Sequence, residues 1–415
     1  MGRRTHLPAR GGPQFSAVLV LATLLAILVA PAPATAAQPA LAQRLDRALA
    51  EPGLSPARTG ALAVDLRTGE VVYSRNASLP LVPASNQKLV VAYGALAVLG
   101  PGYRFHTEVV GTGTQAGDVW RGDLVLKGHG DPTLTTADLD ALAREVRSWG
   151  IRRVTGAVIA DESWFDARRT GPGWRAAFYI HESPPLSALV VSRGWYRGRT
   201  SRNPALAAAS LLRQRLAANG IVVAKPSRVG RLTTHGLPLA RDLSPPLSAI
   251  VRFMGRESDN FTAEVLVKHL GAVELGTGTT AAGARVLRRV LAAAGVPLDG
   301  VRLADGSGLS HLDRLTAKTL VALLVAGARD PELRDPFFAS LAVAGVAGTL
   351  SDRMHSRPAR SLVIGKTGTT RLACSLSGFV RGRYAFAIIQ NGSPVATRAA
   401  RRAQDRFATA LAAAK

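Results

Sequence analysis

Apolar residues recur along this chain in two rhythms, every second residue and every three to four, and the switches between them mark out its elements. Thr59 to Asp65 and Glu70 to Ser74 follow the two-residue rhythm around Arg67-Thr68-Gly69, which predicts a β-hairpin behind a short helix over Ala40 to Leu54. After Pro83 closes a loop, an apolar stretch runs to Leu99 and stops at Gly100-Pro101-Gly102, so Ser85 falls at the start of a helix. From Phe105 the pattern turns to short strands with glycine turns, over Thr107 to Gly111 and Asp123 to Leu126. Leu139, Leu142, Val146 and Trp149 then mark one helical face ending at Gly150, and Val154 to Ala160 reads as one strand. Asn203-Pro204 opens a helix that Gly220 closes.

Helical rhythm returns at Pro246, is interrupted by Ser258-Asp259-Asn260, and continues over 279–294, 316–328 and 336–342. Strands follow at 362–369, 375–380 and 384–390, before a last helix over 396–414. The pattern predicts an α+β fold. Its catalytic domain is discontinuous, residues 37–104 and 241–415, and is expected as a two-layer unit: a five-stranded antiparallel sheet flanked by helices. Residues 105–240 form an inserted α+β module.

The N-terminus carries a different signal. Arg3, Arg4 and Arg10 precede the apolar run Ala17 to Ala30, and small residues end at Ala36. That is the layout of a cleaved export signal, residues 1–36, and the run is short of the roughly 20 residues that span a bilayer. The exported chain is expected in the periplasm or cell-wall space, with no transmembrane anchor after cleavage.

Composition narrows the classes. At 415 residues with 47% hydrophobic and 19% charged side chains, the chain is neither disordered nor a coiled coil. The single cysteine, Cys374, excludes an internal disulfide and any multi-cysteine metal site. The net charge of +24 invites a polyanionic partner. Only seven of the 52 basic residues are lysines, however, and the arginines are dispersed, so no nucleic acid is expected. The eight histidines show no ligand spacing, and neither metal nor other cofactor is expected.

Three short patterns occur in one order: Ser85-x-x-Lys88, Ser258-Asp259-Asn260 and Lys366-Thr367-Gly368. Residues i and i+3 share a helix face, so the Lys88 amine reaches the Ser85 hydroxyl. A lysine near its ordinary pKa of about 10.4 is protonated at neutral pH, and burial with a second cation, Lys366, would release its lone pair. Ser258 would relay a proton to a leaving amine, Asn260 would orient Lys88 and a substrate amide, and the backbone N–H groups of Ser85 and Thr369 would face an oxyanion.

Taken together the triplets match the signature of active-site-serine penicillin-recognising enzymes. The chain resembles the class C low-molecular-mass penicillin-binding proteins, serine D-alanyl-D-alanine carboxypeptidases and endopeptidases. Further landmarks in family order are Gly128 to Leu134, Pro185 to Val191, Asp305 to Ser310, Ala344 to Leu350 and Ser375 to Gly378. The resemblance implies Ser85 as nucleophile, Lys88 as base, Ser258 and Asn260 as the second motif, and Lys366, Thr367, Gly368 and Thr369 as the strand that holds the substrate carboxylate. It implies peptidoglycan stem peptides as substrate and β-lactams as covalent inhibitors.

Two departures stand out. Only a dozen residues separate Val191 from Pro204, where the family carries extra strands, so part of the insert is expected to be reduced. His311-Leu312-Asp313 replaces a polar run and reads as a surface loop. The competing readings are a β-lactamase, whose water-activating carboxylate Asp330 only superficially resembles, and a non-catalytic wall-binding protein.

Overall fold

The computed structural model describes residues 37–414, so the export signal lies outside the described residues. Helix α1 (Ala37–Leu49) precedes the hairpin β1 (Thr59–Asp65) and β2 (Val71–Arg75), and a single 3-10 turn, Ala84–Asn86, runs straight into α2 (Gln87–Leu99). The chain then builds a second unit from the long hairpin β3 (His106–Ala116) and β4 (Val119–Gly128), α3 (Thr136–Ser148), β5 (Arg153–Val154) and β6 (Val158–Asp161). It continues through the small hairpin β7 (Trp195–Tyr196) and β8 (Arg199–Thr200), α4 (Pro204–Ala218), β9 (Val222–Val223), β10 (Arg228–Val229) and β11 (Leu237–Leu243). The return to the first unit supplies α5 (Leu247–Arg256), α6 (Asn260–Leu275), α7 (Thr280–Ala293), α8 (Ala317–Arg329) and α9 (Arg334–Ala339). The strands β12 (Ala342–Val343), β13 (Val363–Thr369), β14 (Ala373–Val380) and β15 (Tyr384–Asn391) and helix α10 (Thr397–Ala412) complete it.

The first unit's sheet is antiparallel in the order β12-β13-β14-β15-β1-β2, the five expected strands plus a two-residue edge strand. Its period-two side chains divide between two cores. Ala385, Ala387 and Ile389 face the helices around α2 and α8, whereas Tyr384, Phe386 and Ile388 face α1 and α10. The sheet is thus covered on both faces, three layers rather than the expected two. Every residue of β14 is buried, as a strand sandwiched between helices requires.

The second unit has its own mixed sheet and its own core, centred on Trp120, Leu126, Leu142 and Leu212. Its last strand extends to Leu243, past the boundary expected at 240. The strand expected over 154–160 is split. Gly156 lies against β4, where a Cβ would meet Gly122 O at 2.3 Å, and the backbone N–H of Ala157 donates to Asp123 Oδ1. Residues 161–193 lean on α6. Phe165, Leu186 and Val190 pack with Phe261 and Val265, and the fully buried Lys268 is paired with Asp166 and donates to Arg168 O at 2.9 Å. Among the described residues no helix is long and apolar enough to cross a membrane.

Candidate active site

Ser85 sits in the 3-10 turn that starts α2, preceded by Ala84 at φ 48°, a left-handed backbone that costs a non-glycine residue on the order of 1–3 kcal/mol. The turn is clamped from two sides. Asn86 Nδ2 donates to Lys366 O at 3.0 Å and to Ser375 Oγ at 2.8 Å, and Ser375 Oγ donates to Pro83 O at 2.7 Å. On the other side Gly308 approaches so closely that a Cβ there would lie 1.9 Å from Ala84 O. Only glycine fits.

One helical turn on, Lys88 is 1% exposed, and its Nζ meets three acceptors: Ser85 Oγ at 3.0 Å, Asn260 Oδ1 at 2.8 Å and Ser307 O at 2.6 Å. Burial, opposed by the surrounding carboxylates, pushes the Lys88 ammonium down to about 8. That corresponds to about 3 kcal/mol and leaves roughly a tenth of the amine neutral at pH 7. Burial, then the charge of the neighbouring Lys88, holds Lys366 well below the usual lysine range.

The second motif folds by division of labour. Ser258, at φ 59°, reverses the chain between α5 and α6. Asp259 caps α6, accepting from the Thr262 N–H at 2.8 Å, and pairs with Arg193 of the second unit. Asn260, the first residue of α6, uses both ends of its amide, since Nδ2 donates to Glu182 O at 2.8 Å while Oδ1 accepts from Lys88.

Strand β13 forms the opposite wall. Lys366 is 1% exposed and donates to Thr367 O at 2.9 Å, Thr367 Oγ1 donates to Thr349 Oγ1 at 2.7 Å, and Arg401 reaches Thr369 Oγ1 at 3.4 Å. A Cβ at Gly368 would stand 2.9 Å from the Ser85 backbone N, so the strand passes close beside the Ser85 turn. The walls enclose a cleft of about 400 Å³ lined by Ser85, Ser258, Asn260, Thr367 and Thr369, with Glu182 and Arg401 at its rim.

Several contributors have no motif of their own. Glu264, one turn after Asn260, is fully buried and accepts from Gly306 N and Ser307 N, which fixes the loop that supplies Ser307 O. Burial, reinforced by Asp305, raises its pKa. Asp305 collects donors from Trp174 Nε1, Ser307 Oγ, Gly308 N and Ser310 N. The segment expected as a surface loop is only partly one: His311 is exposed, but Asp313 is fully buried and accepts from Ala304 N at 2.6 Å. Asp330 lies outside the cleft lining, its carboxylate accepting from Glu332 N and Leu333 N at the turn before α9. Glu182 does line the cleft, so a carboxylate stands nearer the chemistry than the sequence indicated. Cys374 packs with Val395 and Ala400 and accepts from Gln404 Nε2 at 3.4 Å.

Comparison with known proteins shows the family and the fold. The profile of the D-Ala-D-Ala carboxypeptidase 3 (S13) family matches residues 41–201 and 197–413. A D-alanyl-D-alanine carboxypeptidase of Actinomadura sp. (strain R39) is 33% identical, over 94% of this chain and 89% of its own. Carboxypeptidase DacB of Mycolicibacterium smegmatis is 33% identical over 85% of this chain and 80% of its own. The fold is similar to that of penicillin binding protein 4 (dacB) from Haemophilus influenzae, with a TM-score of 0.78, 22% identity and coverage of 90% of this chain and 98% of that one.

Proposed function

The chain belongs to the D-Ala-D-Ala carboxypeptidase 3 (S13) family and is a serine-type D-alanyl-D-alanine carboxypeptidase, and from that premise we propose that Ser85 forms its acyl-enzyme with Lys88 as the base. The observation that carries this assignment is the buried Lys88 Nζ, held at once by Ser85 Oγ, Asn260 Oδ1 and Ser307 O.

When Lys88 is neutral, the Ser85 hydroxyl donates to its lone pair. Ser85 Oγ attacks the carbonyl carbon of the penultimate D-Ala, the proton passes to Lys88, and the oxyanion is met by the backbone N–H groups of Ser85 and Thr369. Collapse breaks the C–N bond. The proton returns from Lys88 through Ser258 to the departing D-Ala amine. Water then attacks the ester, Lys88 takes its proton, and Ser85 is restored.

The terminal carboxylate docks on Lys366, Thr367 and Thr369. An anion beside Lys366 offsets the cost of charging it, so docking favours the charged form of Lys366.

A β-lactam follows the same first step, but its opened ring keeps the leaving amine tethered beside Ser258 and Lys88, where it obstructs water. Peptidoglycan stem peptides lie outside the cytoplasmic membrane, which accords with an exported chain. The insert, 105–240, is proposed to be a reduced accessory module. Support comes from the family profile, whose two matched pieces meet at 197–201, and from the Actinomadura alignment, which spans 493 positions against 415 residues here.

Intact-protein mass spectrometry after brief exposure to excess penicillin should show one adduct that persists for many minutes once free drug is removed. Rapid return to the unmodified mass with drug turnover would establish a β-lactamase instead.

A further inference from the structure

His106 is the first residue of β3, and Glu108 lies two residues on, so both side chains share a face of the sheet. The hairpin register pairs Thr107 with Gly128, which brings His129, just beyond β4, opposite His106. The two imidazoles overlap with ring centroids 4.0 Å apart, and His106 Nε2 is 3.8 Å from Glu108 Oε1. One ligand atom from each of the three residues lies within 4.8 Å of the other two. His129 is buried beneath Trp164, while His106 and Glu108 are half-buried.

We propose that His106, His129 and Glu108 form a site for a divalent transition-metal ion, zinc above all, in the inserted module and separate from the serine chemistry. Two imidazoles and one carboxylate are the donor set of three-ligand zinc sites, with water in the fourth position. Nitrogen donors favour zinc, nickel or copper over magnesium or calcium. The orientation of His129 also fits. Its Nδ1 lies 3.3 Å from His106 O, so an N–H there donates to a backbone carbonyl and leaves Nε2 as the lone pair, the support commonly given to metal-bound histidines. Arg241 Nε stands 3.8 Å from Glu108 Oε1, a loose pair with an exposed arginine that a bound cation would replace.

Linear spacing hides such a site, because the two histidines are far apart in sequence and meet only through the hairpin. Bound metal would tie the entry of β3 to the exit of β4, where the insert departs from the catalytic unit. The chain has one cysteine, so no internal disulfide can do this.

Calorimetric titration of the metal-stripped protein with Zn²⁺ tests the site. One ion per chain is expected, with affinity falling at least about 100-fold in His106→Ala/His129→Ala, about tenfold in Glu108→Gln, and unchanged in the exposed-histidine control His235→Ala. Because the ion binds the folded chain, Zn²⁺ should raise the wild-type melting temperature and leave that of the double variant unmoved. Co²⁺ in the wild type should give the intense visible absorption of a four-coordinate ion. Zinc binding that survives the double substitution, no saturable binding by the wild type, or a Co²⁺ spectrum like that of the free aqua ion would each overturn the proposal. If the double variant fails to fold, Glu108→Gln and the wild-type Co²⁺ spectrum decide.

Discussion

The two walls of the cleft are built on opposite plans. On the helical wall the central polar groups are already engaged: Lys88 has three acceptors, Asn260 uses both ends of its amide, and Glu264 anchors the Ser307 loop. On the strand wall Thr367 is half-buried, Thr369 and Arg401 are exposed, and their contacts run along the rim. Groups that exchange protons need fixed geometry and a dry setting, which burial and hydrogen bonds provide. Groups that receive a substrate must keep hydrogen-bonding capacity for it. Breaking the first wall should stop the reaction; breaking the second should weaken recognition.

The largest effect is expected at Ser85. Ser85→Ala should stay folded, by circular dichroism, yet lose covalent labelling by fluorescent penicillin and at least about 10⁴-fold in peptide hydrolysis. Labelling at the wild-type rate would remove Ser85 as nucleophile. Next comes Lys366→Ala, expected to lower kcat/KM on a D-Ala-D-Ala peptide by about 10²–10³-fold, while Lys225→Ala in the insert changes it little. Equal small losses would take Lys366 out of the site.

The pH profile sharpens the comparison. Lys88 must be neutral to accept the Ser85 proton, so kcat/KM should rise with pH through about 8, and at pH 6 should stand about 100-fold below its plateau. A flat profile between those values would mean that Lys88 is not the base. The smallest effect belongs to the rim. Arg401→Ala should raise KM by about tenfold with kcat nearly unchanged, because its loss weakens docking alone. A fall in kcat with KM unchanged would place Arg401 in the chemistry.

The helical wall was the more legible in sequence. Ser85 and Lys88 are bound to a three-residue spacing by the helix, and the Ser258 motif stands out because it interrupts an apolar run. Glu182 and Arg401 carry no such mark. They come from the insert and from the last helix, and reach the cleft only through tertiary packing. Glu264 shows in the sequence only as one polar position among apolar ones, since its partners are backbone N–H groups with no sequence signature. In the fold, long strands such as β14 and β15 were predicted nearly to the residue, whereas β5, β9 and β10 are two residues each and too short to show any period. The third layer went unforeseen because α1 and α10, at opposite ends of the chain, meet on the sheet's second face.

Lys268 carries a consequence for how this architecture can be shortened. Its ammonium is sealed inside the catalytic unit, yet its partner Asp166 belongs to the insert. Removing that partner would strand a charge away from water at a cost of about 3–5 kcal/mol, a large part of a domain's entire stability. Residues 161–193 therefore line α6 with both a charge partner and packed apolar side chains. The short hairpin β7–β8, with Trp195 largely exposed, supports no buried charge. The two matched pieces of the family profile meet at that hairpin, at 197–201.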